Sequence, residues 1–192
     1  MLEKPGPKKK PRPIGAGSNP DRKLGSAMLM RASYSDLIKV MVKVMNLCHG
    51  GRGACDIIPF FFQMMTECED SETEKHGLYG IASSDGSNAF GAMKRREVQH
   101  GLDMFLSDRL EWMKQMFWRF HRYEALLYYR KPDGKLITLH VRTGFVQGEL
   151  FSAVWYAIGQ GPSFQIMMEE FKPYGVVALP YADDVPFLFH SK

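Results

Sequence analysis

Apolar residues fall at helical spacing through residues 27–47, which predicts one or two amphipathic helical pieces. The stretch His49, Gly50, Gly51, Arg52 and Gly53 breaks any helix and predicts a loop. Helical periodicity returns over 57–65, entered past Asp56 and shortened by Pro59, and a polar linker follows at 69–75. Further on, Val98, Leu102, Phe105, Leu106, Arg109, Met113, Met116, Phe117 and Phe120 lie mostly at helical spacing, so many of the aromatics nearby are expected in the core. Shorter apolar runs predict strands at 78–82, 124–129 and 136–141. The last two are joined across Lys131, Pro132, Asp133 and Gly134, residues that suit a tight hairpin turn. From 149 to 171 the pattern is helical again, with a break or kink expected where Gly159 and Gly161 precede Pro162. Two final apolar runs, 175–180 and 185–189, read as short strands with Tyr181, Ala182, Asp183 and Asp184 at the turn between them. Strands mixed with helices without regular alternation indicate the α+β class.

At 192 residues and 45% hydrophobic, the chain can bury a real core and is expected to form one main domain. Its net charge of +4 permits nucleic-acid binding without requiring it. Distribution says more. Lys4, Lys8, Lys9, Lys10, Arg12, Arg22 and Lys23 face only Glu3 and Asp21 near the start, an anion-seeking stretch whose residues 1–11 read as a flexible basic tail. A second basic segment, Lys114, Arg119, Arg122, Arg130, Lys131 and Lys135, is interleaved with aromatics and is a candidate contact for a nucleic-acid backbone. Cys48, Cys55 and Cys68 have no paired spacing, and neither His49 nor His76 completes a zinc pattern, so reduced structural cysteines are expected. No apolar run approaches the ~20 residues of a membrane span and the basic start lacks a secretory apolar stretch, which leads us to expect an intracellular protein.

The candidate chemistry lies in the adjacent carboxylates of Asp183 and Asp184. Burying two like charges side by side is costly unless cations neutralise them, so an exposed tip facing substrate and metal suits them. Alone, such a pair is an ordinary solvated turn. A third carboxylate, Asp85, stands in Ser83, Ser84, Asp85, Gly86, Ser87, Asn88, Ala89 and Phe90, between a strand and a helical run. Two-metal phosphoryl transfer sets cations about 3.5–4 Å apart and needs carboxylates from separate strands to converge. Magnesium prefers hard oxygen ligands and keeps several waters, which fits two or three Asp without Cys or His.

In these residues the chain resembles the reverse transcriptases, the RNA-directed DNA polymerases, particularly those of non-LTR retrotransposons. Arg12, Pro13 and Ile14, with Arg22 and Lys23, resemble the fingers block that meets the incoming triphosphate. Asp85 to Phe90, followed by Arg95, resembles the first palm block. Gly144, Phe145, Val146, Gln147, Gly148, Glu149, Leu150, Phe151 and Ser152 resemble the block that opens a long helix beside template and nucleotide, and Tyr181 to Asp184 is similar to the catalytic hairpin. These blocks occur in the family's order.

The resemblance implies a polymerase palm with partial fingers and no thumb: a fingers remnant over about 12–76 and a palm over about 77–192, together a truncated reverse transcriptase domain. It implies Asp85, Asp183 and Asp184 as catalytic, metal-binding carboxylates holding two Mg2+ ions, with Mn2+ able to substitute. Arg12, Phe90, Gln147, Gly148 and Tyr181 would bind substrate, with an RNA template, a DNA primer and dNTPs as partners. Phe90 either crowds the sugar 2′-hydroxyl or is a core Phe. As the product of an active retroelement the protein would be nuclear. A non-catalytic nucleic-acid-binding remnant and an RNA-dependent RNA polymerase palm are the alternative readings. The sequence also departs from the family at Gly86 and Leu150, and its Pro180 and Pro186 are expected to weaken the hairpin, Pro186 being tolerated only at an edge or bulge.

Overall fold

The computed structural model describes residues 2–3, 11–12, 20–46, 59, 79–145 and 149–190. The chain enters with a short antiparallel pairing of β1 (Leu2–Glu3) and β2 (Pro11–Arg12). The 27–47 pattern resolves into two helices, α1 (Pro20–Ala32) and α2 (Tyr34–Lys43), beginning earlier than expected because Pro20 suits a first helical turn. In α2, Leu37, Val40 and Met41 are buried, the three- and four-residue spacing that turns one face inward. The loop and linker expected at 49–53 and 69–75 lie outside the described residues, as does the 57–65 helix apart from Pro59.

Strand β3 (Tyr79–Asp85) follows, then the short α3 (Ala89–Ala92), α4 (Arg95–Phe105), a 3-10 turn at Asp108–Leu110 and α5 (Glu111–His121). Strand β3 runs beyond the expected 82, so Asp85 ends a strand instead of standing in a loop. The apolar stripe divides as its spacing implies: Val98, Leu102, Phe105, Met113, Met116 and Phe117 are buried, while Arg109 and Phe120 face solvent. Strands β4 (Ala125–Arg130) and β5 (Leu136–Val141) pair as the expected hairpin, turned at Gly134 with φ +83.

The chain then forms α6 (Ser152–Phe171), a 3-10 turn at Lys172–Tyr174, β6 (Val177–Ala178) and β7 (Asp184–His190). Helix α6 corrects the expected break at 159–162, for it runs unbroken with Pro162 inside it. Proline lacks the N–H that would bond the carbonyl of Ile158, and it is at this carbonyl that Gly101 of α4 meets α6. Gly159 lies against Val98 and Met93, and Gly161 against Phe105 and Val44. The glycines are the surface through which α6 packs closely on α4 and α2, and that tertiary contact overrides their helix-breaking tendency. Trp155 of α6 is fully buried at the centre, its ring 5.5 Å from Phe117 and 5.3 Å from Phe151.

The three-stranded antiparallel sheet has the order β3-β7-β6. Pro186 therefore stands in the central strand, opposite Ser83, contrary to the expected edge or bulge. Its carbonyl accepts a hydrogen bond from Leu179 N (3.2 Å), so the donor that proline lacks would have faced the same side, beyond the end of β6. The ladder to β3 loses nothing. Phe164, Ala178 and Val185 form a smaller core where α6 covers this sheet.

Candidate active site

Pairing of β3 with β7 places Asp85 opposite Asp184. Tyr181 and Asp184 close the hairpin through two backbone hydrogen bonds, Tyr181 N to Asp184 O at 2.8 Å and Asp184 N to Tyr181 O at 3.0 Å. Ala182 and Asp183 form the turn between them, with Ala182 left-handed at φ +53, a conformation that costs a residue with a Cβ about 1 kcal/mol. Gly86 N donates to Asp183 O at 3.4 Å, tying the chain that leaves β3 to this turn. Carboxylates distant in sequence are thus brought to one end of the sheet, Asp183 half-buried, Asp85 and Asp184 exposed.

Tyr156 of α6 is buried beside them. Burial pushes its pKa up, and the charges of Asp183 and Asp85 push it further, so both carboxylates act on one phenol. A Cβ at Gly86 would crowd Ala89 at 2.8 Å and stand 3.5 Å from the Tyr156 hydroxyl, which gives the departure at Gly86 a packing reason. Phe90 is half-buried with its ring 5.0 Å from that of Tyr156, so it adjoins both the helical core and the carboxylate end.

The other blocks converge only in part on described residues. Gly144 has φ +66, and a Cβ there would overlap the carbonyl oxygens of Phe90 and Gly91. Gly144 N donates to Met93 O (2.9 Å) and Phe145 N to Phe90 O (2.8 Å), so the start of the Gly144 block docks on the helix that follows Asp85. Gln147 and Gly148 lie outside the described residues. Arg12 belongs to β2 by its backbone, and its side chain lies outside the described residues. Arg95 is a structural tie: its guanidinium donates to the carbonyls of His121 (2.6 Å), Tyr123 (2.8 Å) and Val141 (3.2 Å). Burial lowers its pKa and Glu149 opposes that shift.

Two residues at the site were not singled out by the sequence. One is Tyr156. The other is Asn46, which follows α2, is 2% exposed, and donates from Nδ2 to Ala182 O while its Oδ1 accepts from Ala182 N, both at 3.1 Å. Neither stands out in the sequence, because an Asn ending an apolar helix and a Tyr inside one are commonplace.

Among the described residues no three His, Cys, Asp or Glu side chains gather into a metal cluster. The donors at hand are Asp85 and Asp183, beside Asp184. That set fits magnesium, which is commonly held by one or two carboxylates together with waters and substrate phosphates.

The second basic segment has an exposed aromatic side. Trp118 is 52%, Tyr123 67% and Tyr128 64% exposed, and the Arg122 guanidinium lies 4.6 Å over the Tyr123 ring. Arg119, Arg130, Lys131 and Lys135 are exposed around them, whereas Lys114 is engaged by Asp103 and Glu111. No helix among the described residues is long and apolar enough to cross a membrane.

Neither a protein-family model nor a curated protein matches the chain. Among solved structures, apo telomerase from Candida tropicalis, truncated from its C-terminal domain, superposes with a TM-score of 0.56 at 12% identity, over 87% of this chain and 34% of its own. Telomerase from Candida albicans, in complex with a fragment of telomeric RNA, gives 0.47 at 11% identity over 88% of this chain and 29% of its own. The chain spans about a third of the length of these telomerases. At this identity the first likeness concerns the fold alone: a mixed helix and sheet arrangement like that in part of the Candida tropicalis telomerase.

Proposed function

We propose that the chain carries the palm and part of the fingers of an RNA-directed DNA polymerase of the non-LTR retroelement type. The observation that carries this reading is the β3 to β7 register, which sets Asp85 beside the Asp183-Asp184 turn in a reverse-transcriptase-like fold. The reaction is nucleotidyl transfer: a primer 3′-hydroxyl attacks the α-phosphate of a dNTP and pyrophosphate leaves. Asp85 and Asp183, with Asp184 beside them, would hold two Mg2+ ions, which when bound activate the hydroxyl and neutralise charge on the leaving oxygen. Arg12 would steady the triphosphate, Phe90 would face the sugar, and Gln147, Gly148 and Tyr181 would line the nucleotide and template. The exposed side of α5 and of the β4–β5 hairpin offers aromatic rings and cations to the RNA template and DNA primer.

The test is primer extension by the full chain on an RNA template with dNTPs and Mg2+, beside Asp183→Asn. Extension by the parent chain that the variant lacks, at equal melting temperature, is the expected result. Equal extension by both would overturn the assignment of Asp183.

A further inference from the structure

Asn46 and Ala182 are 136 residues apart in sequence, yet one side-chain amide meets both polar groups of one backbone residue. The side chain acts there as a strand partner would, accepting from the N–H and donating to the carbonyl of Ala182. Asn46 is buried, so water does not readily replace it. The residues on both sides of the contact are unusual. Ala182 is left-handed at φ +53, and Met45, immediately before Asn46, is left-handed at φ +57. Met45 ends α2 with Asn46 N bonded to Met41 O at 3.1 Å, which fixes the direction in which Asn46 leaves the helix. A non-glycine residue in a disfavoured conformation thus occurs at each end of this pair of hydrogen bonds: Ala182 itself, and the residue immediately before Asn46. Strain of this kind persists only where the surroundings impose it.

The next residue after Ala182 is Asp183, whose backbone leaves the same turn. Were Ala182 to relax to a negative φ, the peptide between them would rotate and carry the Asp183 carboxylate with it. We propose that Asn46 is a positioning residue for Asp183: by holding Ala182 left-handed it fixes where that carboxylate stands relative to Asp85, and so makes metal affinity depend on the end of α2. This inference rests on the polymerase-centre reading of the carboxylates.

Two readouts on the full chain test it, both taken below the melting transition. Residue-resolved hydrogen exchange reports the clamp: Asn46→Ala should speed exchange of the Ala182 amide while leaving the amides of α6 protected. Electron paramagnetic resonance titration with Mn2+ reports the consequence. Asn46→Ala should weaken Mn2+ binding about ten- to a hundredfold, the usual effect of removing a group that orients a metal ligand. Adding Ala182→Gly should restore part of that affinity, since glycine adopts the left-handed conformation unaided. Should Asn46→Ala not fold, Asn46→Gln serves, because it keeps the amide but displaces it by one methylene. Unchanged Mn2+ affinity in a folded Asn46 variant, or an Ala182 amide indifferent to Asn46, would overturn the proposal. If the parent chain shows no Mn2+ binding that Asp183→Asn removes, the polymerase-centre reading fails and this inference with it. That failure is recognised separately, because the exchange readout needs no metal.

Discussion

Gly101 of α4 stands against the carbonyl oxygen of Ile158 in α6 so closely that a Cβ would overlap it. The contact holds the two central helices together at the point where Pro162 withholds a helical hydrogen bond. Gly101→Ala should therefore force the helices apart, and overpacking of this kind costs about 1–3 kcal/mol despite the better helix propensity of alanine. Urea denaturation reads the effect directly. A midpoint equal to or above that of the parent chain would mean that α4 and α6 do not approach this closely in solution.

Phe90 touches Tyr156 and lies near the carboxylates, so its two readings separate experimentally. Phe90→Ala should lose about 2 kcal/mol of stability from a half-exposed ring and should also raise ribonucleotide use relative to deoxynucleotide use. Competing extension reactions with dNTP and rNTP measure the ratio. Lower stability with an unchanged ratio would make Phe90 a packing residue only.

Glu124 joins the base of the β4–β5 hairpin through His140 Nδ1 (2.8 Å) and Arg142 Nε (3.0 Å). The hydrogen bond from His140, and then that from Arg142, hold the Glu124 pKa below its ordinary 4.5. A depressed carboxylate pKa means that the contribution is fully present above pH 4.5 and is lost as pH falls through the folded value. Protection factors in β5, in which the intrinsic pH dependence of amide exchange is divided out, should fall over that acidic window, and Glu124→Gln should abolish that fall. Being exposed, the pair should also respond to salt. Protection factors that stay constant through this window in the parent chain would show that these contacts do not fasten the hairpin.

Tyr128 projects from β4 at 64% exposure with Arg130 on the same face of the strand. Tyr128→Ala should weaken binding of a fluorescent single-stranded oligonucleotide by about 1–3 kcal/mol, the usual worth of one stacked base, and leave the melting temperature in place. Anisotropy titrations at two salt concentrations separate stacking from charge. Binding as tight as that of the parent chain would remove this face from the nucleic-acid surface.

Much of this architecture was legible from local pattern. The apolar spacing of Leu37, Val40 and Met41 marked α2, Lys131 to Gly134 marked the hairpin, and apolar runs around Asp183 marked the β6–β7 turn. What the pattern missed was decided by distant partners. Glycines and a proline at 159–162 are locally helix-breaking, and only the presence of Val98, Gly101 and Phe105 opposite them makes an unbroken helix the better packed state. Pro186 read as a defect because its missing donor has a direction, and that direction emerges only from the register. Asn46 and Tyr156 joined the site by folding. The metal-ligand role that the resemblance assigns to Asp183 rests with the primer-extension and Mn2+ experiments above.

The guanidinium of Arg95 binds Tyr123 just before β4 and Val141 at the end of β5. Both roots of the ribbon are therefore moored at one point, while its strands pair with each other beyond it. Its length is consequently an independent variable. Residues inserted or removed in matching pairs on the two strands would preserve the alternation of faces and leave the moored roots, and the helices behind them, undisturbed. This is where a lineage could change the reach of the ribbon without redesigning the core.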